Sequence, residues 1–205
     1  MKIRYNAPVI LTFSIASTAI MGVASIIPEF MGNFVVPGNT YPFNFFSLDV
    51  LRLVSYTVGH GGWEHLFGNI SFMLLIGPIL EEKYGSARIL LMMILTAVAS
   101  GLVNVFFLSS SSLGASGIVF MLILLISITN VKKGEIPLTL IAVILIFVTK
   151  EIFSMLFETN NVNEEAHLIG GFFGGMFGLL FAREKKPKDG IKSSPPSPNI
   201  TYDGN

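Results

Sequence analysis

From residue 89 to residue 131 the chain runs for 43 residues without one charged side chain, as ILLMMILTAVASGLVNVFFLSSSSLGASGIVFMLILLISITNV. A helix crossing a bilayer needs about 20 apolar residues, so this run holds two spans. Its one polar interruption, SSSSLGASG at 109–117, marks where they meet. A second uncharged run covers residues 5–28 and reads as one further span, too long and too lacking in a small-residue cleavage site for a signal peptide. Only 13% of the residues are charged, about half the share usual in soluble domains. Apolar segments at about 65–80, 137–157 and 166–182 complete an expected all-α membrane bundle of six helices, at about 8–27, 65–80, 89–108, 116–131, 137–157 and 166–182. A long loop over 28–64 joins the first two spans.

Charge is distributed unevenly along this pattern. Eleven of the thirteen Lys and Arg residues fall at alternate ends of the spans, from Lys2 and Arg4 through Lys83, Arg88, Lys132 and Lys133 to the run Arg183–Lys192, against Arg52 and Lys150 on the other side. The positive-inside rule then places both termini in the cytoplasm and the loops 29–64, 109–115 and 158–165 outside. The expected setting is a multi-pass position in a prokaryotic plasma membrane. Residues 1–183 form the membrane domain, and residues 184–205, charged and then rich in Pro and Ser, read as a disordered cytoplasmic tail. With no cysteine in the chain, thiolate chemistry and Cys-based metal sites are excluded.

The even-numbered spans are short, about 16 or 17 residues or ~24–26 Å against a hydrocarbon core of ~30 Å. Helices that begin below the outer surface require non-helical backbone at that depth to line a wet cavity or be buried in protein. Short spans 2, 4 and 6 around a submerged, outward-open polar cavity are therefore expected. Each starts with polar residues: His65 and Asn69 at i and i+4 in span 2, Ser116 in span 4, and His167 one turn into span 6. Taken singly, each has a plainer reading, as a cap, an interfacial residue or helix-to-helix glue. Together they supply the parts for acyl transfer. Ser116 needs a base, which His167 can supply. An oxyanion needs donors, which His65, Asn69 and the Ser116 backbone N–H can supply at the positive end of a helix. Gly114 and Gly117 permit close approach to the backbone. Gly170, Gly174 and Gly178 repeat at GxxxG spacing on the face that carries His167, which suits tight packing against span 4. No carboxylate stands where it would orient His167, so a dyad rather than a triad is expected. Phe120, one turn after Ser116, either stacks on His167 or is a core or lipid-facing ring.

The ordered motifs HGGWEHLFGN with His60, His65 and Asn69, GASG with Ser116, and AHLIGGFFGG with His167, Gly170 and Gly174 resemble those of the rhomboid intramembrane serine proteases. The resemblance runs from about Arg52 to Arg183. It implies a six-helix rhomboid-like fold, Ser116 as nucleophile, His167 as general base, and His65, Asn69 and the Ser116 amide as oxyanion hole. It implies substrates that are themselves transmembrane segments in the lipid bilayer, cut near the outer end beside small residues, with no cofactor, no metal and no nucleic acid. Glu81 in EEKYGS matches a position that is structural in the family. Two positions depart from the pattern: Leu51-Arg52 stands where the family often has Trp-Arg, and Phe120 where a tyrosine is common. His60 either fixes the loop entering span 2 or supports catalysis. The aromatics of NTYPFNFFSL suit an amphipathic element lying in the outer leaflet or an ordinary interfacial belt.

Two other functions fit parts of the sequence. A non-catalytic rhomboid-like protein would bind and retain membrane clients, against which stands the presence of both dyad residues. A small transporter would have a midplane polar site, against which stand the outer position of the cluster and the lack of evident inverted repeats. Oligomeric state has no sequence signature here.

Overall fold

The computed structural model describes residues 5–129, 138, 140–146, 149 and 164–181, with side chains in the last stretch described from His167 onward. Among them the secondary structure is helical apart from one isolated antiparallel bridge, Val36 to Ser112. The helices are α1 (Pro8–Ile26), α2 (Asp49–Ser55), α3 (Trp63–Tyr84), α4 (Ser86–Phe107), α5 (Ser116–Thr129) and α6 (Glu164–Phe181), with 3-10 turns at Pro28–Phe34 and Tyr56–Val58. Residues 140–146, inside the expected fifth span, are helical. The rest of that span and the expected tail lie outside the described residues. The helices α1, α3 and α4 are each long and apolar enough to cross a membrane.

One expectation is corrected. The second span is not short: α3 has 22 residues, ~33 Å of helix, which is a full crossing. The expected end at residue 80 falls just before the acidic pair Glu81-Glu82. Glu81 is instead buried, and its two carboxylate oxygens accept hydrogen bonds from the backbone N–H groups of Val9 and Ile10, both at 3.0 Å. These donors are left unpaired at the start of any helix and lie at the positive end of its dipole. A charge so matched permits the helix to continue to Tyr84. The described residues include 14 of α5 and 18 of α6.

Contacts along the helices fix their directions. Ile10, near the start of α1, packs where a side chain on Gly77, near the end of α3, would stand, so α1 and α3 are antiparallel. Gly85, with φ +86°, turns the chain directly from α3 into α4. The helices α3, α5 and α6 run parallel. His65 meets Gly114 at one end. At the other, the Lys83 ammonium donates to the Thr129 carbonyl at 2.6 Å and Tyr84 shares a 2.7 Å hydrogen bond with the Thr129 hydroxyl. Between α5 and α6, Gly117 lies against Gly170, Met121 against Gly174, and Ile128 against Gly178. Three helices therefore begin at one end of the molecule.

The main core, including Met73, Leu80, Met92, Met121, Leu122 and Phe177, lies among α1, α3, α4, α5 and α6. A second core, of Val36, Leu53, Tyr56, Ala97 and Val105, fastens the long loop to α4. There the Tyr56 hydroxyl donates to the Ala97 carbonyl at 3.2 Å.

Candidate active site

The shared end of α3, α5 and α6 carries the polar residues. Ser116 is the first residue of α5 and is half-buried. Phe120, one turn further on, lies face to face with the imidazole of His167, ring centroids 4.7 Å apart and planes within 4°. His167 is itself buried. This close approach depends on glycine: a side chain on Gly170 would overlap the Gly117 carbonyl, and one on Gly174 would overlap the Met121 carbonyl. Of the two readings of Phe120, stacking is the one found. Without a hydroxyl, its ring can shape and shield the imidazole but cannot hydrogen-bond.

Gly114 joins this pair to α3. Its φ is +124°, a region that side chains disfavour. A Cβ there would stand 2.7 Å from Cε1 and 2.9 Å from Nε2 of His65. The His65 ring thus lies on the backbone two residues before Ser116. One turn further along α3 is Asn69, 7% exposed. Its side-chain NH2 group is buried with no hydrogen-bond acceptor among the described residues. Buried donors are rarely left in this state, and the exceptions call for an explanation.

His60 stands behind His65, ring edge to face at 5.1 Å. It is almost wholly buried; its Nδ1 faces the Val58 carbonyl at 3.3 Å, while Nε2 has no partner among the described residues. If Nδ1 donates to that carbonyl, Nε2 is the unprotonated nitrogen. Burial, reinforced by the neighbouring His65, pushes the His60 pKa down to about 4 against the opposing effect of the Val58 carbonyl. At neutral pH its ring is uncharged.

An apolar groove of about 520 Å³ runs from this end along α5 and α6, lined by residues including Phe120, Leu124, His167, Gly171, Phe172 and Gly175. It differs in kind from the polar, outward-open cavity that the sequence predicts. Arg52 pairs with Asp49 at 3.6 Å within α2, and Leu51 beside it is exposed. Neither is part of the cluster.

Two contributors have no sequence signature. The N–H of Gly114 donates to the Tyr56 carbonyl at 2.9 Å. Asn104 reaches from the last turn of α4 to two loop carbonyls, Pro37 and Ser110, both at 3.0 Å. The run Ser109–Ser112 is tied to the long loop through its backbone: Val36 and Ser112 exchange both N–H···O bonds, at 3.0 and 2.9 Å.

The rhomboid domain family matches residues 47–184, well over half of the chain. Similar proteins include the rhomboid protease GlpG of Haemophilus influenzae, 23% identical over 67% of this chain and 73% of that protein. The rhomboid protease GluP of Bacillus subtilis is 30% identical over 62% of this chain and 25% of its own length. RHOMBOID-like protein 5 of Arabidopsis thaliana is 35% identical over 63% and 44%. The chain thus spans about three quarters of the first relative and less than half of the other two. The chain belongs to the rhomboid family, and with its long apolar helices it is an integral membrane protein.

Proposed function

We propose that this chain is an intramembrane serine endopeptidase that cleaves transmembrane segments by a Ser116/His167 dyad. The observation that carries the reading is the packing of the first turns of α5 and α6, where Phe120 stacks on His167 one turn from Ser116. In the first half of the reaction the Ser116 Oγ forms a bond to the scissile carbonyl carbon while its proton passes to the His167 imidazole. The carbonyl oxygen gains negative charge and is met by the Ser116 N–H, Asn69 and His65. The C–N bond then breaks as His167 returns the proton to the departing amine, leaving an ester on Ser116. Water attacks that ester, giving its proton to His167, and the acid leaves as the proton goes back to Ser116 Oγ.

The unpartnered NH2 group of Asn69 supports its role, because a donor that lacks an acceptor at rest gains one when the oxyanion forms. The remaining parts of the proposal are six spans, both termini on the cytoplasmic side, a wet cavity open to the outside, and cleavage near the outer end of the substrate. Reporter fusions at the two termini test the orientation; reporters on opposite sides would overturn an even number of spans.

The test of function is cleavage of a transmembrane substrate in liposomes by the parent protein and by Ser116→Ala and His167→Ala. Loss of cleavage in both variants, with folding retained, is expected. Undiminished cleavage by Ser116→Ala would overturn the dyad. Client binding without cleavage by the parent would favour the retention function.

A further inference from the structure

The segment that feeds Ser116 is held along its length by the long loop. The Asn39 N–H donates to the Leu108 carbonyl at 2.7 Å, Val36 and Ser112 form the bridge, and the Gly114 N–H donates to Tyr56. The Thr40 hydroxyl adds a bond to the Ser109 carbonyl at 3.3 Å at the exposed edge, and Gly38 lies against Ser109 with no room for a side chain. One side chain joins both partners to the helix behind them. Asn104, 1% exposed, gives its amide to the Pro37 carbonyl in one segment and the Ser110 carbonyl in the other. An NH2 group has two hydrogens, enough for both carbonyls, and an aliphatic side chain in its place would leave both without this donor.

We propose that Asn104 is a positioning residue for the oxyanion hole. It fixes the register between residues 36–40 and 108–112, and this sets where residues 113–116 fall. That placement governs two groups at once, the Ser116 N–H and the Gly114 backbone on which the His65 ring rests. The inference rests on Ser116 being the nucleophile. Asn104 lies on α4 rather than on the helices that carry Ser116, His65 and His167, so its effect reaches the chemistry through displaced donors. Misplacements on the order of 1 Å far from the reacting atoms cost ~100-fold in rate.

The test measures the rate constant for labelling by a serine-reactive fluorophosphonate, together with kcat and KM for a transmembrane substrate, on folded protein in liposomes. Asn104→Leu is expected to lower both the labelling rate constant and kcat at least ~10-fold with KM within about twofold. Asn104→Gln, which keeps the two donors, should recover part of that loss. A merely structural role would reduce the folded fraction and leave the rate constant per folded molecule at the parent's value. Should Asn104→Leu not fold, Thr40→Val removes the exposed bond of the same pairing and is expected to lower the labelling rate constant about two- to threefold. Parental labelling and kcat in folded Asn104→Leu, or in Thr40→Val where the first variant does not fold, would overturn the proposal. A parent protein that the reagent does not label at Ser116 would instead overturn the reading beneath it.

Discussion

Asn69 holds a buried NH2 group with no acceptor among the described residues, and such a group is destabilising until something accepts from it. Asn69→Ala should therefore lower kcat by ~100- to 1000-fold while leaving the melting temperature near that of the parent. A large fall in melting temperature with kcat retained would make Asn69 structural. His60 gives a pH dependence of opposite origin. An unfolded histidine titrates near 6.5, whereas the folded one is held down at about 4. Between these values the unfolded state binds more protons, so stability is greatest above about pH 6.5 and declines as the pH falls toward 4, by up to roughly 3 kcal/mol. Thermal melts of the parent and His60→Gln across that range should diverge on the acid side, the variant being less sensitive. At this scale Ser116, His65, Asn69 and His167 are legible in the sequence, because polar residues that start apolar helices are conspicuous. Asn104 and Tyr56 are not, because they act through backbone carbonyls up to 67 positions away, and backbone partners leave no pattern in side-chain types.

Among elements, the parallel course of α3, α5 and α6 places three polar first turns at one end. The glycines that permit it can be read at their spacing, though not their partners: Gly170 and Gly174 each lie on a backbone carbonyl of α5. Gly174→Val should push α6 away from Met121 and carry His167 with it. Cleavage is then lost even where circular dichroism shows the helices intact; full activity in this variant would mean that the α5–α6 contact does not position the base. The extent of α3 is the element that pattern reading misjudges, because Glu81 counts as a boundary when its compensating donors are not in view. Those donors sit at the start of α1, 71 and 72 positions earlier. Glu81→Ala would strip two N–H groups of their acceptor at the start of a membrane helix and should cost about 1–3 kcal/mol, read as a lower melting temperature in detergent. Unchanged melting would mean that water or lipid serves those donors equally well.

For the whole molecule, charge and hydropathy patterning make the all-helical membrane character plain before any coordinates are considered. They cannot show that the long loop runs beside the 108–114 segment and docks on α4, since the second core is built from Val36, Leu53, Tyr56, Ala97 and Val105, ordinary apolar residues far apart in sequence. The central claim is that this assembly activates one serine among those of SSSSLGASG. Its most direct test is to treat the protein in liposomes with a fluorophosphonate and locate the adduct by peptide mass spectrometry. A single adduct on Ser116 is expected, lost in Ser116→Ala and strongly slowed in His167→Ala. An adduct on any of Ser109–Ser112, or labelling of Ser116 that proceeds at the same rate without His167, would contradict it.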